Sequence, residues 1–288
     1  MSGVPHIFDS SARALRAARA ARIPGQSFLV LEAAAGVAER AGAANRRFQN
    51  ALEAGSADSA FDPMKPLAAN WTRAAFSKTE TLDVPAQSFD LAVSVLALHA
   101  VNDLPGALIQ IRRALKPDGL FVGALFSGDT LKELRDSLAA GEEEISGGVS
   151  PRVAPFADVR DLGALLQRAG FNLPVADTER TVVRYRRFET LISDLRAAGE
   201  TNVLASRARK PLRRDVLAAT LAQYNTNHAE DDGRIRATFD IAYLTGWSPH
   251  ESQQKPLAPG SAKTRLADAL GTTEQKAGDD ANLKPRGR

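Results

Sequence analysis

The chain has no cysteine among its 288 residues, and that one absence removes several kinds of chemistry. A disulfide framework, a thiolate zinc site, an iron–sulfur cluster and a cysteine nucleophile are all excluded. Aromatics are scarce at 6%, with two Trp and three Tyr. No apolar run approaches the ~20 residues needed to cross a bilayer, and no apolar h-region opens the chain as a secretory signal would. The formal charge is only +3, too mild to point to nucleic acid. The four histidines, His6, His99, His228 and His250, are scattered without ligand-pair spacing, so the expectation is no metal site. Neither a G-x-S-x-G nucleophile elbow nor a Gly-Lys-Ser/Thr phosphate loop occurs.

What is present is an ordinary globular composition, 44% hydrophobic and 25% charged, in a chain long enough to bury a sizeable core without staples. Ser10 to Ala21 reads as a basic helix carrying Arg13, Arg16, Arg19 and Arg22. Its plain reading is a solvated face; its alternatives are a transit segment or an arm for anionic lipid. Phe28 to Ala44 has helical spacing, and Ala51 to Gly55 follows as a first strand. Asp58 to Pro85, punctuated by Pro63, Pro66 and Pro85, shows no clear period.

Leu91 to Leu96 is a continuous apolar run, as expected of a strand buried on both faces of a parallel sheet. Leu104 to Leu115 has an apolar stripe at helical spacing, Lys116-Pro117-Asp118-Gly119 ends it, and Leu120 to Phe126 is a second buried run. Strand, crossover helix and strand make a right-handed βαβ unit. Helices are further expected over 129–140, 158–169, 188–198 and 214–223, and strands over 182–185 and 238–246. After Leu270 the composition offers little to bury, so residues 271–288 are expected to be a disordered tail. The expected organisation is N-terminal helices over 1–50 and a doubly wound, Rossmann-like α/β domain over 51–270, with helical insertions between its last strands.

In such sheets ligands sit beyond the carboxyl ends of the strands. That rule selects Glu53, Gly55 and Ser56 after the first strand. After Leu91–Leu96 it selects His99, Asn102 and Asp103, and after Leu120–Phe126 it selects Ser127, Gly128 and Asp129. Glu53-Ala54-Gly55-Ser56 reads as a cofactor loop or an ordinary turn. His99 reads as a ligand contact or general base, or as a half-buried histidine capping the strand end.

The stretch from Phe89 to Leu104, with Leu115-Lys116-Pro117-Asp118-Gly119, resembles the class I S-adenosylmethionine (SAM) methyltransferases. Within them the chain is similar to the respiratory complex I assembly factor 5 family and, more distantly, to malonyl-carrier-protein O-methyltransferases. Gly128 to Arg135, Gly147 to Pro151, Pro155-Phe156, Asp161 to Phe171, Ala237-Thr238-Phe239, Gly246-Trp247, His250 to Gln253 and Gly260-Ser261-Ala262 carry the narrower likeness. The N-terminal Ile7-Phe8-Asp9 and its Arg-rich helix also look like that family's start.

The resemblance implies SAM as cofactor, with Glu53, Gly55, Ser56, Leu96 and His99 on the cofactor side and Asn102 and Asp129 on the substrate side. It implies a protein substrate, a complex I subunit or assembly intermediate, a cytoplasmic location, no nucleic acid, and at most peripheral membrane contact. It leaves open methyl transfer, a cofactor-less assembly chaperone, and arginine hydroxylation, with which the family's mitochondrial member is associated. The departures concentrate in the cofactor half. Ala57 and Asp58 stand in glycine places, the span from Leu52 to Phe89 is short, and a second strand with its ribose-holding acid is not recognisable. Lys78 stands where an acid would face the adenine amine. The segments 96–104, 127–135, 147–155 and 250–253 are expected to converge on one mouth of the sheet.

Overall fold

The computed structural model describes residues 6–25, 27–55, 60, 62–254 and 264–272. The chain divides into two units, 1–250 and 251–288. The first contains a six-stranded sheet, β1 (Phe48–Ala54), β2 (Ala68–Ala74), β3 (Phe89–Val95), β4 (Leu115–Ser127), β5 (Asn172–Tyr185) and β6 (Ile235–Trp247), in the order β2-β1-β3-β4-β6-β5. The first four strands in that order are parallel, while β6 runs antiparallel to both β4 and β5. The helices of the first unit are α1 (Ser10–Ala20), α2 (Phe28–Ala43), α3 (Leu104–Ala114), α4 (Lys132–Ser146), α5 (Val159–Arg168), α6 (Phe188–Ala198) and α7 (Arg214–His228). In the second unit the described residues include one short helix, α8 (Leu266–Leu270). The expected tail from residue 273 onward, Ser56 and Gly260-Ser261-Ala262 lie outside the described residues.

Period-two alternation along the central strands feeds two hydrophobic layers. Leu91, Val93, Val122, Phe126, Phe239 and Tyr243 face a core shared with α2, α4, α6 and α7. Ala92, Phe121, Leu125 and Leu244 face a second core built with α3 and α5. This explains why β3 and β4 read as unbroken apolar runs: both faces are covered.

The sheet contains the second strand that no sequence period revealed. β2 is an edge strand paired only with β1, and most of its residues are exposed or half-buried, so it shows no apolar run. β5 is likewise longer than expected. It pairs only with β6, its polar residues face solvent, and Pro174 near its start falls at a register shift, where a missing N–H is tolerated. α4 begins at Lys132 rather than 129, because Leu131 adopts φ 56° in a tight turn before the helix.

Gly141 shows how closely α4 and α7 pack. A Cβ there would lie 2.6 Å from the backbone N of Thr220 and 2.9 Å from its Cα. Because that neighbour is backbone, only separation of the helices relieves the clash. Gly141→Ala is therefore expected to destabilise by about 1–3 kcal/mol, more than the ~1 kcal/mol gained from alanine's better helix propensity. Urea unfolding checks this, and unchanged stability would show that the crossing is loose.

Candidate functional site

The strand order reverses between β1 and β3, so a crevice opens beyond their carboxyl ends. Gly55 terminates β1 there with φ 79°, a conformation that suits glycine. A Cβ at this position would meet the Phe76 ring at 3.1 Å and the Ala97 Cβ at 3.3 Å. Glu53, on the last turn of the same strand, is almost fully buried, and its carboxylate accepts from Arg73 Nε of β2 at 2.8 Å. Leu96 follows β3 with φ 48°; it is buried and its N–H donates to Ala124 O.

α1 packs beside this crevice. Asp9 caps it by accepting from Ala12 N, and Arg207 holds the same carboxylate at 2.9 Å. Arg13 departs from the solvated face expected of its helix: its guanidinium donates to the carbonyls of Ala97 and Ala100. Burial lowers its pKa, opposed by the negative charges of Glu200 and Glu80. Together Arg13, Gly55, Phe76, Lys78 and Glu80 border a cavity of about 170 Å³. Glu80 is committed to structure, since its carboxylate accepts from the backbone N–H groups of Asn102 and Asp103 at 2.8 Å and from Asn102 Nδ2 at 2.7 Å.

A larger cavity of about 470 Å³ lies between the sheet edge and α4, α6 and α7. Three of the four segments expected to converge meet in its wall: His99 and Ala100 from the first, Leu131 and Leu134 from the second, Arg152 to Ala154 from the third. The fourth, His250–Gln253, spans the boundary between the two units.

His99 is the polar centre of that wall. Its ring packs against Phe126 and Phe156, with centroids 5.1 and 6.0 Å away, and Nε2 lies 2.9 Å from Glu200 Oε2. A carboxylate can only accept, so Nε2 carries the proton. Nδ1 is buried without a hydrogen-bond partner. Chemically this is an imidazole oriented by an acid, with Nδ1 left as its open acceptor.

Asn102 and Asp129 are not in either cavity. Asn102 Oδ1 accepts from Ile7 N at 2.7 Å and Phe8 N at 2.8 Å, so it fastens the N-terminal segment to the sheet edge. Asp129 sits at the β4 exit among Lys132 and Arg180. Hydrogen bonds from Lys132 and Arg180 hold its carboxyl below the ordinary carboxylate range. Sequence reasoning gave no site role to Glu200, Arg13, Phe156 or Phe188. Arg13 had a signal in the arginine repeat and Phe156 in the Pro155-Phe156 motif. Among the described residues no group of three or more His, Asp or Glu is placed to hold a metal ion, and no helix is long and apolar enough to cross a membrane.

Residues 6–174 match a family model described as a methyltransferase domain. The chain is 45% identical to human mitochondrial arginine-hydroxylase NDUFAF5 over 209 residues, which is 73% of this chain and 58% of that protein. It is 35% identical to the malonyl-[acyl-carrier protein] O-methyltransferase of Laribacter hongkongensis, covering 63% of this chain and 58% of the relative. It thus spans little more than half the length of the curated relatives it matches. The crystal structure of YcgJ from Bacillus subtilis superposes with a TM-score of 0.50 at 13% identity, over 74% of this chain and 98% of that one, and so shares its fold. With the parallel half of the sheet, its crevice at the reversal of strand order and the matched domain in place, this chain belongs to the methyltransferase-domain family and is similar within it to NDUFAF5.

Proposed function

We propose that the chain is a methyltransferase-like protein that acts on a protein substrate during assembly of respiratory complex I, and that the substrate engages the edge carrying His99. The supporting observation is the His99–Glu200 pair. A buried imidazole with an orienting carboxylate and a partnerless Nδ1 is costly to keep for packing alone, and it stands at the carboxyl edge where such folds place their sites.

The cofactor side of the reading is weaker by chemistry. SAM is cationic at its sulfonium and ammonium groups and presents an adenine amine that donates. The described crevice offers Lys78, which has no acceptor, a Glu53 already paired with Arg73, and a Glu80 saturated by backbone donors. Its cavity of about 170 Å³ falls below the ~300–1,000 Å³ usual for a ligand of SAM's size. These residues do not fit SAM, and the proposal routes no step through it.

A second reading, arginine hydroxylation, is favoured by the name of the 45%-identical human relative. Both readings need the same substrate edge. The test is complementation of a strain lacking this gene, with complex I assembly read on native gels. His99→Ala and Glu200→Gln are expected to abolish assembly while leaving the melting temperature close to that of the parent. Full assembly with either variant would sink the assignment of this edge. Lost assembly with a large fall in melting temperature would show that the pair only supports the fold.

A further inference from the structure

The cavity of about 470 Å³ that has His99 in its wall supports an inference that goes beyond the proposed function and concerns its apolar side, along α4 and α7. Its wall is built mainly from aliphatic and aromatic side chains, among them Leu134 and Leu138 of α4, Ile192 of α6, Leu217 and Leu221 of α7, and Phe188. Its volume lies within the range of small-molecule sites.

The charged groups lining it are nearly all satisfied. Arg152 is ion-paired with Glu142 and Glu189 with Arg187 at 3.4 Å, while the Glu200 carboxylate is hydrogen-bonded to His99 at 2.9 Å. Arg196 is the exception: it is exposed and, among the described residues, its guanidinium carries no hydrogen bond or ion pair. An apolar chamber with one unpaired guanidinium at its rim is complementary to a molecule with an apolar body and an anionic end.

We propose that this cavity binds a single-chain amphiphile with an anionic head, its alkyl chain among the leucines of α4 and α7 and its head at Arg196. The chain gains free energy from the apolar area it removes from water. The head contributes less, because Arg196 is exposed and screened, but it decides orientation and the preference among charges. Two sources share this chemistry: a free fatty carboxylate, and one acyl chain of an anionic phospholipid.

The experiment uses the full chain and titrates dodecanoate, dodecanol and dodecyltrimethylammonium, each below its micelle concentration, by calorimetry. Dodecanoate is expected to bind one per chain and more tightly than the ammonium. Arg196→Glu should weaken dodecanoate by about fivefold and leave dodecanol unchanged. Ile192→Trp, which fills the chamber, should abolish binding of both. A parallel arm measures sedimentation with phosphatidylcholine vesicles containing phosphatidylglycerol. Vesicle binding that Ile192→Trp removes and dodecanoate displaces assigns the source to the lipid; dodecanoate binding without vesicle binding assigns it to the free acid. If Ile192→Trp fails to fold, Arg196→Glu decides, since an exposed position carries little packing. No dodecanoate binding, binding untouched by both substitutions, or equal affinity for the carboxylate and the ammonium would overturn the proposal.

Discussion

Glu133→Ala is expected to remove about 3 kcal/mol of stability and lower the melting temperature by roughly 6–12 °C. Glu133 is 1% exposed on the first turn of α4. Its carboxylate accepts from Thr238 N at 3.0 Å and Thr238 Oγ1 at 2.6 Å, both buried on β6. Alanine would leave that N–H and hydroxyl without acceptors where water does not reach, and an orphaned buried donor costs more than the bond itself was worth. The Arg236 guanidinium, 3.9 Å away and half exposed, can turn to solvent and adds little. Glu133→Gln should cost much less, because the hydroxyl can rotate to accept from the amide while the amide oxygen keeps the N–H. Thermal and urea unfolding of the two variants give the test. An alanine variant as stable as the glutamine one would mean that water or a neighbour takes over both donors. The position also matters for the site, because α4 carries Leu134 and Leu138 in the wall of the larger cavity.

The sequence was most legible where elements are covered on both sides. β3, α3 and the apolar half of β4 stand out because burial on two faces makes a strand continuously apolar, and burial on one makes a helix periodic. The edge strands β2 and β5 were hidden for the converse reason: their side chains are largely wet, so polarity carries no period. The rule that ligands gather beyond strand ends selected Gly55 and His99, and the fold places each in the wall of a cavity. It could not distinguish a residue that faces a cavity from one that fastens the chain. Asn102 shares its loop with His99, yet its amide is spent on Phe8 and Glu80. Glu200 was invisible because it lies 101 residues from His99, just past the end of α6, and meets it only through the fold. Arg13 was hidden within its own repeat, since an arginine that turns to carbonyl oxygens has the same spacing as one that faces water.

SAM affinity is expected to fall roughly a hundredfold below that of a site with intact contacts, if the three lost contacts are each worth on the order of 1 kcal/mol. The three losses have separate physical causes. β2 ends at Arg73-Ala74 and runs on into Ala75-Phe76, with no carboxylate to accept from ribose hydroxyls. Glu53, the acid that remains on β1, is engaged by Arg73 at 2.8 Å, so a ligand must compete with a salt bridge whose acid is nearly dry. By the family resemblance Lys78 would put a donor where the adenine amine needs an acceptor, and it borders the same cavity as Arg13, so two cations would face a ligand that is itself cationic at two groups. The electrostatic part should be the most reversible: Lys78→Asp exchanges a repulsive donor for an attractive acceptor and is expected to recover about tenfold. Lys78 is exposed, so the exchange should leave the fold intact. Calorimetric titration of the parent and the Lys78→Asp chain with SAM measures both effects. A low-micromolar dissociation constant for the parent would overturn the expectation, because Glu53 would then have to release Arg73 on binding. An unchanged constant for the variant would place the defect in the crevice itself, where Phe76 and Ala97 stand 3.1 and 3.3 Å from where a Cβ on Gly55 would lie.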